Sequence, residues 1–428
     1  MSFEVLISRS PELSARGIEL ATRALSAGDR VSAEHAYRTA MHGGLVHPAS
    51  WSNLAALGIA LEDAEGARAH AKRALALDQA HADAWNNFGV ASWRLGQRRD
   101  AAKALHQALV LAPGLHAAAL NYSLMLRSVN QLVQARAVLD SAASHAPRDW
   151  RLQQALAEIT RLQGDATAMR KHVLAAIAQF PLVPTSELLI TPDKSPDAAS
   201  GNQVEAALVA AADALDAASV PFHLVGGTLL GIHRDGKPFP HDKDIDLGIP
   251  FECDRDVILA ALADGFAPMR PLDGEAALAS RPWVMGFTHA ATGIGVDLFF
   301  IQRRESCMHN KVGWPDHLAS EVPVYDLQTL RWRDRDWQIP SPPEVYLEGM
   351  YGPSWRTPMR FFDTQLSSPS CTAEALPRAI NLALLRLLQA LQQRKWEQAL
   401  ALCVQLSARE QLAEVEKVAA KLRKDATT

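Results

Sequence analysis

Asp244, Asp246 and Asp297 are the residues whose types and spacing point most directly to chemistry. Asp244-Ile245-Asp246 lies in a short stretch with strand character. Side chains two apart on a strand point the same way, so the two carboxylates share a face. Carboxylates that close repel unless a divalent cation sits between them, and Mg²⁺ is commonly held by one or two carboxylates plus substrate phosphates. Ile294 to Phe300 reads as a neighbouring strand carrying the third acid, Asp297. Upstream, Gly226-Gly227-Thr228 stands where a strand gives way to a helix, and bare N–H groups at a helix N-terminus suit a phosphate. A lone Asp-x-Asp most often just ends a strand, and a lone Gly-Gly is most often a turn. Together they predict a Mg²⁺- or Mn²⁺-dependent enzyme acting on a nucleoside diphosphate or triphosphate. Asp244, Asp246 and Asp297 are its expected metal ligands and catalytic residues, with Gly226, Gly227 and Thr228 against phosphate.

These blocks also carry a resemblance. Gly227-Thr-Leu-Leu-Gly-x-x-Arg234, followed by Pro240-x-Asp-x-Asp-Ile-Asp-Leu-Gly248, resembles the signature of the LicD/fukutin-like family of the nucleotidyltransferase fold. Val296-Asp-Leu-Phe-Phe300 is similar to its third-carboxylate strand, and Pro340 to Trp355 to its closing segment. The resemblance implies transfer of a phospho-alcohol, such as phosphocholine or ribitol phosphate, from a CDP-activated donor to a glycan acceptor. It also implies that Arg234 grips a donor phosphate, with His233, Lys237 and His241 on the same loop. Where the family often has Trp and a run of acids, this chain has His241-Asp242-Lys243, which leaves Asp242 as either a further ligand or a supporting group. Trp332, Trp337, Tyr346, Tyr351 and Trp355 offer faces for a sugar or a quaternary ammonium, or else serve as core. A true nucleotidyltransferase and an inactive scaffold are the rival readings.

The elements that position these residues form a catalytic domain over residues 203–365, of α+β type, with a helical tail over 372–424. That tail either packs on the catalytic core or adds another hairpin. Residues 184–202, with Pro184, Pro192, Pro196 and Gly201, read as a linker. Before it, residues 1–183 repeat every 34 positions: Trp51 and Trp85; Asn53, Asn87 and Asn121; Ala40, Ala74, Ala108, Ala142 and Ala176; Gly28, Gly96 and Gly164; and Pro113, Pro147 and Pro181. This resembles a tetratricopeptide array of about five units, an all-α superhelix. Its groove is expected to hold a protein or peptide partner, or a helix of this chain. The three asparagines either hydrogen-bond an extended backbone there or are solvated.

At 428 residues with a formal charge of −4, the chain has room for several cores and no global attraction to nucleic acid. Its four cysteines show no Cys-x-x-Cys spacing, so neither a disulfide framework nor a zinc site is expected. No apolar run approaches a membrane span, and Met1 to Ser10 lacks the pattern of a signal peptide. A cytoplasmic location follows as the expectation.

Overall fold

The 34-residue period sets where helices start. The computed structural model describes residues 11–41, 47–180, 201–239, 244–269, 281–312 and 318–425. The chain divides into two compact units, Met1–Leu182 and Val183–Thr428. Among the described residues of the first, ten helices pair as five hairpins: α1 (Pro11–Ser26) with α2 (Arg30–Met41), α3 (Pro48–Ala60) with α4 (Ala64–Leu77), and α5 (Ala82–Arg94) with α6 (Arg98–Leu111). α7 (His116–Ser128) pairs with α8 (Leu132–His145), and α9 (Trp150–Leu162) with α10 (Ala166–Gln179). Ala40, Ala74, Ala108, Ala142 and Ala176 are all buried, because only a methyl group fits where the helices cross.

The connection inside each hairpin needs one residue in the left-handed region. Gly28, Gly96 and Gly164 supply it at φ 77, 75 and 76°. Glu62 and Asn130 occupy the same phase at φ 70 and 59°, where a Cβ is sterically costly. The asparagines are neither an open ladder nor a solvated row. Asn53 is exposed, but Asn87 is buried, and its amide donates to the Ser52 carbonyl (2.9 Å) and hydroxyl (3.1 Å). Asn121 donates to Asn86 Oδ1 at 2.9 Å. Stacking places a residue beside one a repeat earlier, so these amides tie successive hairpins together.

The second unit opens with α11 (Gly201–Ala217), so the end of the expected linker is already helix; the rest of that linker lies outside the described residues. β1 (His223–Leu224) then leads into α12 (Gly226–Asp235), β2 (Asp244–Pro250), α13 (Arg255–Leu262), β3 (Phe266–Pro268), β4 (Val284–His289) and β5 (Gly295–Arg303). The sheet runs in the order β1-β2-β5-β4-β3, and β5 also pairs with β6 (Cys307–Val312), which pairs with β7 (Leu318–Pro323). Only β2 and β5 are parallel among the described pairs. Ile245, Leu247, Ile249, Val296, Leu298 and Phe300 are fully buried on one face, in the same core as Val204, Leu208 and Leu215 of α11. This burial fixes the register, because a one-residue slip would send every apolar side chain to the other face. A hairpin, β8 (Asp326–Trp332) with β9 (Arg335–Ser341), precedes α14 (Pro343–Tyr351) and the short α15 (Thr364–Ser367).

The tail does both things that its sequence leaves open. α16 (Leu376–Gln392) and α17 (Trp396–Arg409) form a hairpin before α18 (Ala413–Asp425), with Arg394 at φ 56° in the turn. Its closing bond, Lys395 N–H to the Ala390 carbonyl at 2.9 Å, matches that from Gln97 to Ser92 at 2.8 Å in the array. The tail also packs on the sheet domain, where Ala375 and Ala379 bury against Leu318 of β7. In addition, Arg386 bonds the buried Asp363 carboxylate at 2.6 Å.

Candidate active site

The parallel pairing of β2 with β5 brings the acids together. Asp246 is directly opposite Asp297, and Asp244 opposite Gly295. Neighbouring strands run about 4.8 Å apart, so Asp246 and Asp297 share one face at close quarters, with Asp244 two residues along. β4 continues the row, placing Gly286 opposite Asp297 and Thr288 opposite Gly295. The glycine matters because a Cβ on Gly286 would stand 3.0 Å from Asp297 Oδ1. Like charges directly opposite each other cost a sheet stability, so this arrangement needs compensation.

Part of that compensation comes from the start of α12. Gly227 N–H donates to Asp246 Oδ2 at 2.6 Å, and the helix N-terminus favours the anion. Thr228 Oγ1 accepts from the Asp246 N–H at 2.8 Å, so the same turn grips both the backbone and the side chain of Asp246. Gly226 has φ +54°, and a Cβ there would lie 2.7 Å from Asp246 Cγ and 2.9 Å from its Cβ. Its N–H donates to the Tyr346 hydroxyl at 3.0 Å. The expected phosphate contacts thus have partners within the protein: the Gly227 N–H holds the Asp246 carboxylate, the buried Thr228 hydroxyl takes the Asp246 N–H, and the Gly226 N–H goes to Tyr346.

Arg234 sits at the far end of α12 from the Gly226-Gly227 turn. His233 and Arg234 lie in the last turn of α12, not on a loop, and eight residues at 1.5 Å each put Arg234 about 12 Å along the axis from Gly226. Its guanidinium bonds Asp235 through Nε (2.9 Å) and Nη2 (3.0 Å), and the Trp355 carbonyl at 3.2 Å. His233 meets Glu344 at 3.2 Å. His241, Asp242 and Lys243 lie outside the described residues.

The late aromatics are core: Trp332, Trp337, Tyr346 and Trp355 are buried, and Tyr351 packs on Phe362. Two further groups, His223 and Tyr325, stand behind the site, and the sequence pattern does not single them out. His223 on β1 is buried, faces Gly248, and its Nε2 meets the Tyr325 hydroxyl at 2.8 Å. Burial pushes its imidazole down to about 4, so it is neutral near pH 7. Tyr325 packs edge-on against Tyr346, whose hydroxyl burial drives far above its ordinary value, with the Asp246 charge adding to the effect. A histidine inside the apolar run Phe222–Val225 is the one sequence signal for this layer.

Among the described residues, no group of three or more His, Cys, Asp or Glu side chains is placed to hold a metal ion by itself. The residues do fit Mg²⁺ or Mn²⁺ bound in the way Mg²⁺ commonly is, through one or two carboxylates with the remaining positions left to water and phosphate. Asp246 and Asp297 would hold it, with Asp244 beside them.

The stretch that carries these residues is similar to known proteins. Residues 219–342 match the family model described as LicD/FKTN/FKRP, nucleotidyltransferase domain. The matched stretch includes Asp244, Asp246, Asp297 and the Gly226-Gly227 turn, and stops short of Tyr346. Ribitol-5-phosphate transferase FKTN of Homo sapiens is 27% identical over 165 residues, 37% of this chain and 34% of that protein. The Mus musculus protein of that name is 25% identical over 163 residues, again 37% of this chain and 34% of that protein. The chain thus spans about a third of the length of the curated relatives it matches. Solved structures similar to the chain include TTC0263, a thermophilic TPR protein of Thermus thermophilus. It has 17% identity and a TM-score of 0.35, covering 39% of this chain and 92% of that one. Among the described residues no helix is long and apolar enough to cross a membrane.

Proposed function

We propose that this chain transfers a phospho-alcohol, of the ribitol-phosphate or phosphocholine type, from a CDP-activated donor to a hydroxyl of a glycan, using Mg²⁺ or Mn²⁺. The observation that carries the reading is Asp246 and Asp297 in register on parallel strands, with Asp246 clamped by the Gly227 N–H. The LicD match and the FKTN relatives support a ribitol-phosphate donor over others. When bound, the metal neutralises pyrophosphate charge and stabilises the attacking and leaving oxygens. The chain's own part is positional and basic. The α12 turn holds the Asp246 carboxylate in place, Asp244 and Asp297 complete an acidic row, and Asp297 takes the proton of the acceptor hydroxyl as it attacks. Attack on the phosphorus bearing the alcohol breaks its bond to the bridging oxygen, and CMP leaves with that oxygen. A protein or peptide partner in the repeat groove and a cytoplasmic location belong to the same proposal.

Calorimetric titration with CDP-ribitol, CDP-choline, ATP and UTP, with and without Mg²⁺, tests it on the wild type and Asp246→Asn. Metal-dependent binding of a CDP-alcohol, lost in the variant, is the expected result, with CMP released when an acceptor glycan is supplied. Tight triphosphate binding and pyrophosphate release would replace the reading with nucleotidyl transfer, and no nucleotide binding would leave a scaffold.

A further inference from the structure

We infer that Tyr346 is a positioning residue for the acidic site, acting through the Gly226–Gly227 turn rather than on substrate. Three observations carry this. The Tyr346 hydroxyl accepts the Gly226 N–H at 3.0 Å, one residue before the amide that holds Asp246. Gly226 sits at φ +54° with almost no clearance from Asp246, so the turn and the carboxylate can move only together. Tyr346 itself is buried and braced edge-on by the ring of Tyr325, a contact that does not depend on the Tyr325 hydroxyl. A buried tyrosine with no exposed face cannot stack on a sugar, but it can hold a backbone amide.

The chemistry follows from the bond direction. The first N–H groups of a helix have no partner within the helix, and each needs an acceptor. Tyr346 supplies the one for Gly226, which leaves the Gly227 N–H aimed at Asp246 Oδ2. Without that acceptor, the half-buried Gly226 amide loses its protein partner, the turn relaxes, and the carboxylate loses its fixed orientation. Partners that orient metal ligands typically affect affinity by about 10–100-fold, and Tyr346 acts one step further out, at the lower end.

The test uses the full chain and two readouts. The first is Mn²⁺ binding followed by electron paramagnetic resonance for the wild type, Tyr346→Phe, Tyr325→Phe and Asp246→Asn. Tyr346→Phe is expected to weaken Mn²⁺ about tenfold. Tyr325→Phe deletes an equally buried hydroxyl that does not touch Gly226, and it is expected to stay within about twofold of wild type. The second is amide hydrogen exchange. Gly226 and Gly227 are expected to be protected in the wild type, with Gly226 exchanging about tenfold faster in Tyr346→Phe.

Equal Mn²⁺ affinity in wild type and a folded Tyr346→Phe overturns the inference, as does an equal effect from Tyr325→Phe. The inference rests on the metal reading only for its Mn²⁺ arm. If the wild type shows no Mn²⁺ binding that Asp246→Asn removes, that reading fails and the exchange arm alone decides the role of Tyr346. If Tyr346→Phe does not fold, the wild-type amides decide: exchange of Gly226 at the rate of an open loop overturns the inference, and protection upholds it.

Discussion

Replacing Gly226 by alanine tests the turn against a control in the same helix. Alanine at φ +54° costs about 1–2 kcal/mol from backbone sterics alone. Its Cβ would also stand 2.7 Å from Asp246 Cγ and 2.9 Å from Asp246 Cβ. Rotating the Asp246 side chain relieves the first contact but not the second, because Cβ does not move about χ1. The backbone must therefore shift, and the bond from Gly227 N–H to the carboxylate, worth about 1.5–3 kcal/mol, weakens or breaks. Stiffening of the unfolded chain by alanine offsets roughly 0.4–1 kcal/mol. The net expectation is about 2–4 kcal/mol. In a unit of this size that is a fall in melting temperature of about 5–15 °C. Gly236, just past the other end of α12, has φ +73° and nothing within 4 Å of the position a methyl group would take. Gly236→Ala is therefore expected to cost only about 1 kcal/mol. Scanning calorimetry reads both variants, with the Gly236→Ala shift marking the second unit's transition. Equal losses within about 0.5 kcal/mol would refute the claim that Gly226 exists to admit Asp246.

Two further outcomes follow from other parts of the molecule. His223, held down at about 4 by burial, binds fewer protons folded than unfolded, so the stability it contributes is present above pH 6.5 and lost as pH falls toward 4. The full loss is about 3 kcal/mol, and His223→Gln is expected to flatten that part of the pH profile in urea unfolding of the second unit. In the repeat array, Glu62 stands at φ 70° where three sister turns carry glycine, so Glu62→Gly is expected to raise stability by about 0.5–1 kcal/mol. The exposed ion pair to Arg30 that it removes subtracts only a few tenths. A thermal shift downward would show that the ion pair outweighs the backbone.

Much of this is legible in sequence because periodicity is local. The recurrence of alanine and glycine every 34 residues places the hairpins, and the alternation around Asp244 and Asp246 places both acids on one face. The role of the Gly226 turn is not legible. A glycine pair before a helix looks the same whether its amides face a phosphate or a carboxylate, and only the register of β2 against the turn decides. By motif Arg234 reads as a phosphate grip, and its bonds to Asp235 and the Trp355 carbonyl are not legible from that motif. The late aromatics have spacing compatible with a binding face, yet burial makes them core. The asparagine contacts escape a sequence reading because their partners lie one repeat away, where spacing gives no direction.

The parallel pairing of β2 with β5 also has a kinetic consequence. Parallel strands need a long crossover, and Asp246 and Asp297 come from positions about fifty residues apart. Contacts of such separation close slowly, because loop entropy is lost before any packing rewards it. Among the described residues, the hairpins of the array join residues within a repeat or its neighbour, and they leave the ribosome before the sheet domain. The carboxylate pair is thus among the last features of the chain to come into being, and a nascent chain carries its folded repeats before it has a site.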